Sequence, residues 1–169
     1  MIRMRYRTAL SQRSPSTALL STTMPPAEYY FRLQHGITGG FAPPTPSAIY
    51  TVTQAANQPS LAITAAVREH GTPSLSEAMP KSLSPDAGAA LVDELHAILK
   101  DLPIEDPPGS EDIYGLDTSI FWGSDDLEWA NGGPQGCGGG KSTVQASEEQ
   151  KAKFKRAVEI VDELVKEAK

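Results

Sequence analysis

The chain has 169 residues, 15 basic and 21 acidic side chains, and a single cysteine, which fits one domain with a core large enough to stand without disulfide staples. One cysteine makes no internal disulfide and suits a reducing compartment, and no apolar run reaches the roughly 18 residues of a membrane span. Residues 1–23 hold four of the basic residues (Arg3, Arg5, Arg7, Arg13) and no acid, leaving eleven basic against twenty-one acidic side chains in the rest, a balance that repels phosphate backbones and argues against nucleic-acid binding.

Taken in chain order, residues 1–23 read as an arginine- and hydroxyl-rich tail, either an organelle presequence or a plain extension ahead of Met24. The expected location is cytoplasmic in the second case and mitochondrial in the first. Residues 24–169 are expected to form one domain. Tyr29, Phe31 and Leu33 alternate with Tyr30, Arg32 and Gln34, the period of a half-buried strand. The strand runs into Gly36, Gly39 and Gly40, whose backbone freedom suits a turn, and Pro43, Pro44 and Pro46 then deny ladder donors. Two further strands are predicted over 48–53 and 61–67, joined through Asn57, Gln58 and Pro59. Residues 69–83 read as loop.

Ser84, Pro85 and Asp86 open a helix on which Leu91, Leu95, Ile98, Leu99 and Leu102 trace one apolar stripe, ended by Pro103. After the loop 103–110, an extended run is predicted from Ile113 to Trp122. The chain then turns at 123–126 and returns through Leu127 to Ala130, with Trp122 and Trp129 close to cross-strand register. A glycine-rich loop, 132–141, leads to a last helix opened by the capping box Ser147 to Gln150 and facing inward with Phe154, Val158, Val161, Leu164 and Val165. The expected architecture is α+β, an antiparallel sheet of four to five strands with two helices on one face.

Chemistry-bearing motifs are sparse. Gly136 to Ser142 approaches a phosphate-binding loop but has Gln135 where the first glycine belongs, and the helix begins too late. Cys137 has no local base. His35, His70 and His96 lack paired zinc-ligand spacing, and Asp125 to Glu128 lacks the alternation of a calcium loop. No catalytic residues, metal or cofactor are expected, and the chain reads as a binding domain, not an enzyme.

The segment Phe31 to Ala42 joins a strand to Thr38-Gly39-Gly40-Phe41-Ala42 and precedes two strands, a helix, a hairpin and a closing helix. In this it resembles the emfourin family, small protein inhibitors of thermolysin-like metallopeptidases. It departs from that family where it continues Pro43-Pro44-Thr45-Pro46. The resemblance implies an inhibitor whose partner is a thermolysin-like metallopeptidase, with a loop blocking the cleft and a carboxylate or carbonyl approaching the enzyme's zinc. Candidate surfaces are the turn 36–41 with Gly39, Gly40 and Phe41, the loop 103–112 with Asp106 and Asp112, and the loop 132–140, because loops on a rigid scaffold carry recognition. The alternative is an intracellular interaction or structural domain with no peptidase target, a monomer or weak homodimer, using an exposed Trp122 or Trp129 at the hairpin edge or the last helix.

Overall fold

The computed structural model describes residues 26–39, 45–133 and 137–169. The arginine-bearing tail, Gly40 and Phe41 lie outside them. The class is α+β, with six antiparallel strands and two helices among the described residues. The strands are β1 (Tyr29–His35), β2 (Ala48–Gln54), β3 (Leu61–Val67), β4 (Met79–Leu83), β5 (Thr118–Ser124) and β6 (Glu128–Ala130), and the helices are α1 (Pro85–Asp101) and α2 (Glu148–Glu167). Their order across the sheet is β4-β3-β2-β1-β5-β6, which puts β1 near the centre between β2 and β5.

Alternation decides which face is covered. Phe31 and Leu33 on β1 pair with Val52 and Tyr50 on one side and with Trp122 and Ile120 on the other. These residues join Leu95, Leu99, Phe154, Ile160 and Leu164 in one core. Both helices therefore lie on the same face, as expected of two amphipathic elements sharing one apolar sheet surface. Pro85 occupies the start of α1, where its missing N–H is harmless, although the Ser84 side chain caps nothing. At α2 the capping box is complete: the Gln150 N–H donates to Ser147 Oγ at 3.2 Å and the Ser147 N–H to Gln150 Oε1 at 2.9 Å.

Two expectations need correction. The stretch read as loop contains β4, which pairs with β3 through Leu61 and Leu83 and raises the strand count to six. The run expected to be extended from Ile113 becomes a strand only at Thr118. Before it, Asp112 caps the N–H groups of Tyr114, Gly115 and Asp117 and folds the chain into a turn.

The β4 edge is closed to further pairing. Pro80 has no N–H on the outer side, and Ser82 exchanges both backbone bonds with Lys169, at 2.8 and 3.1 Å. Proline and a covering segment are two established ways of blunting an edge strand. Lys81 reinforces the closure by donating from Nζ to the Val165 carbonyl at 3.0 Å.

Candidate functional site

Antiparallel pairing puts the end of β1, the start of β5 and the end of β6 at one end of the sheet. The three candidate loops follow or precede those termini, and they form one hydrogen-bonded structure. Asp117, at φ 50°, occupies the left-handed region that aspartate tolerates better than most residues. Its Oδ1 accepts from the N–H groups of Ile37 and Thr38 and from Thr38 Oγ1, all at 2.8 Å. Glu105, only 2% exposed, accepts at Oε1 from the Gly109 and Gly132 N–H groups, both at 2.7 Å. It thereby ties the loop after α1 to the loop after β6. The Cys137 N–H donates to the Ile37 carbonyl at 2.8 Å and the Gly138 N–H to the Gly109 carbonyl at 3.0 Å, which joins all three loops. Asn131 completes the base, accepting from the Ile120 N–H and donating to the Thr118 carbonyl.

The residues nominated from sequence separate into three groups. Gly39 lies beside the bridge that Thr38 makes with Cys137, and its neighbours Gly40 and Phe41 are beyond the described residues. Asp106 is exposed. Its backbone is pinned by Ser142 and Thr143, while its carboxylate, among the described residues, takes the Thr143 hydroxyl at 3.2 Å. Asp112 is committed to the turn it caps. Trp122 and Trp129 do not belong to this end. They pair across the β5–β6 hairpin and point into the core at 0% and 3% exposure, because their register puts both on the helix-covered face. Neither indole offers the exposed surface the homodimer alternative expects.

Glu105, Glu111, Asp117 and Asn131 were not singled out by sequence reasoning. For Asp117 the available signal was an aspartate two residues after Gly115 at a strand entry, a position suited to a left-handed turn residue. Glu105 carries no signal beyond its place among several acids.

Among the described residues the exposed loop end is acidic, with Asp106, Glu111, Asp112 and Asp117 against Lys141, whose side chain is 92% exposed at 3.8 Å from Glu111. Such a surface favours a basic partner. Burial pushes the Cys137 thiol up to about 11, reinforced by Asp112, Glu105, Asp117 and Glu111. This is the reverse of what a nucleophilic cysteine needs. Burial alone would raise the Asp117 carboxyl as well, but the bonds from Thr38 and Ile37, with His35 nearby, outweigh it and hold the group below its ordinary value. The bond from the Ser142 N–H, followed by that from Gln145, lowers Glu111 in the same direction.

Both carboxyls thus hold a proton less tightly folded than unfolded, so their stabilisation is present above the unfolded value of about 4 and is lost as pH falls through the folded ones. Melting temperature is expected to drop between about pH 5 and about pH 3, and Asp117→Asn to flatten that drop while lowering stability at neutral pH. Thermal melts across the range check both effects, and an Asp117→Asn profile parallel to wild type contradicts the assignment.

At the opposite end, Ser124, Asp126 and His96 meet without forming a nucleophilic triad. Ser124 Oγ donates to Asp126 Oδ1 at 2.7 Å while His96 Nε2 lies 3.0 Å from Asp126 Oδ2. The carboxylate stands between serine and histidine, so the hydroxyl has no imidazole to take its proton. The network instead satisfies the buried Trp122 indole, which donates to Ser124 Oγ at 3.0 Å. Among the described residues, no three histidine, cysteine or carboxylate side chains gather as a metal-ligand set, and no helix is long and apolar enough to cross a membrane. After Ser142 the chain reaches α2 only at Glu148, so a phosphate cradle has no helix N-terminus directly behind it. Comparison of the chain with family models, with curated proteins and with solved structures finds no match in any of the three.

Proposed function

We propose that this chain is a protein-binding domain that inhibits a thermolysin-like metallopeptidase by presenting its acidic loop end to the enzyme's cleft. The observation that supports the reading is the convergence of three loops, nominated separately from sequence, into one end tied by Glu105 and Asp117. A loop held by its own carboxylates loses little conformational freedom on binding, which is how preorganised inhibitors gain affinity. Asp106 is the carboxylate we assign to the approach toward the target's zinc, being exposed with one hydroxyl partner on a fixed backbone. The inhibitor needs no cofactor of its own in this mechanism, and a cytoplasmic location accompanies the proposal.

The test is titration of a thermolysin-like enzyme with the full chain. Activity is expected to fall at near-stoichiometric inhibitor, and Asp106→Asn to weaken inhibition by about tenfold or more. An enzyme that keeps full activity at about a hundredfold excess rules out this target class. A homodimer through the hairpin or α2 draws no comparable support, since both indoles and the α2 stripe are buried in the core.

A further inference from the structure

With both helices on one face, the other face of the sheet carries no helix or strand layer among the described residues. Its centre is aromatic. Tyr30, 46% exposed, stacks on Phe121 with ring centroids 5.2 Å apart. The Tyr30 ring lies over Gly123, where a Cβ would come within 2.6 Å of its Cε1, so the glycine allows the ring to lie down as a shelf. On one side of the shelf is a groove of about 630 Å³ whose charged lining residues, among the described residues, are Glu28, Asp125 and Glu128, all acidic. Gln54, also in that lining, has a buried Oε1 without a hydrogen-bond donor among the described residues. The groove on the other side contains Arg32 as well as Glu128 and is electrically mixed.

We propose that this open face is a second binding surface, taking an extended segment of a partner protein that carries arginine or lysine beside an apolar side chain. The charge asymmetry assigns the cation to the acid-only groove. There a guanidinium or ammonium meets Asp125 and Glu128 and lies against the electron-rich face of Tyr30. The adjacent apolar side chain covers Phe121, and a period of two lets an extended segment direct alternate side chains at the sheet. Phosphate-bearing ligands are disfavoured by the same acids. The acid-only groove shares no lining residue with the loop end, and the proposal does not rest on the peptidase reading.

The experiment is fluorescence anisotropy of the full chain with a short fluorescein-labelled peptide of alternating arginine and leucine, and with a counterpart in which glutamate replaces arginine. The arginine peptide is expected to bind and the glutamate peptide not. Affinity should fall about tenfold in the double variant Asp125→Asn/Glu128→Gln and in Tyr30→Ser, and by less than about twofold in Asp106→Asn/Glu111→Gln at the loop end. Circular dichroism melts verify that each variant is folded. Equal losses from the two charge-neutralised pairs would reduce the effect to net charge and overturn the proposal, as would equal binding of the two peptides or binding by neither. Binding that appears only when Arg3, Arg5, Arg7 and Arg13 are all replaced by serine would also overturn it, reassigning the groove to the chain's own arginines. Thermolysin inhibition is expected to survive Asp125→Asn/Glu128→Gln, so either reading can fail without the other.

Discussion

Trp122→Ala is expected to lower unfolding free energy by about 3–5 kcal/mol, the range for truncating a fully buried aromatic side chain. Trp122 is fully buried on β5, directly between Phe31 on β1 and Trp129 on β6. Its indole stacks on Phe31 at 5.3 Å and 5°, on Tyr29 at 5.3 Å and 12°, and meets the His96 ring at 5.3 Å. Removing it opens a cavity bounded by strands on both sides and by α1, which cannot collapse without shifting the sheet. It also removes the donor that Ser124 Oγ accepts from, leaving that hydroxyl bonded to Asp126. Against a total stability of about 5–15 kcal/mol, a loss of this size leaves a marginal protein or an unfolded one. Trp122→Phe keeps most of the packing and is expected to cost about 1–3 kcal/mol through the smaller void and the lost indole bond to Ser124 Oγ. Urea unfolding followed by far-ultraviolet circular dichroism measures both variants. An alanine variant within about 1 kcal/mol of wild type contradicts a core centred on this ring.

The elements legible in the sequence are those where one periodicity is unbroken. Tyr29 to Leu33, Leu61 to Ile63, the α1 stripe and the capping box at Ser147 each carry their structure in adjacent residues. β4 carried no such pattern, since Leu83 is its single buried side chain and Lys81, on the same face, takes an inward position where its amine finds the Val165 carbonyl at the end of α2. The strand exists through pairing with β3, a tertiary cause that overrides local preference. In the loops, glycine and proline content located the candidate site, but not what holds it together. Asp117 reaches Ile37 across 80 residues and Glu105 reaches Gly132 across 27, and bonds from a carboxylate to distant backbone N–H groups leave no trace in spacing. For the tryptophans the expected cross-strand register holds, and that same register sends both inward, away from the exposed edge the interaction-domain alternative requires.

Glu105→Ala is expected to cost about 2–4 kcal/mol and, more tellingly, to loosen the loop end while leaving the sheet intact, because the change leaves the Gly109 and Gly132 N–H groups without their acceptor. Glu105→Gln retains an oxygen at the same reach and is expected to cost about half as much, the difference reflecting the weaker bonds of a neutral acceptor. Hydrogen exchange should accelerate at Gly109 and Gly132 in the order alanine, then glutamine, then wild type, with the amides of β1 and β2 unchanged. Cys137 supplies an independent readout. Its backbone is tied to Ile37 and its neighbour Gly138 to Gly109, so release of Gly109 should expose the thiol and raise its labelling rate by about tenfold or more. If the loop end is the inhibitory surface, the alanine variant loses inhibition at temperatures where it is still folded, since the loops must then be ordered at the moment of binding. Unchanged exchange at both glycines would mean that the carboxylate is not the pin, and the rigidity that supports the inhibitor reading would have to come from Asp117 and the backbone bonds of Cys137 and Gly138.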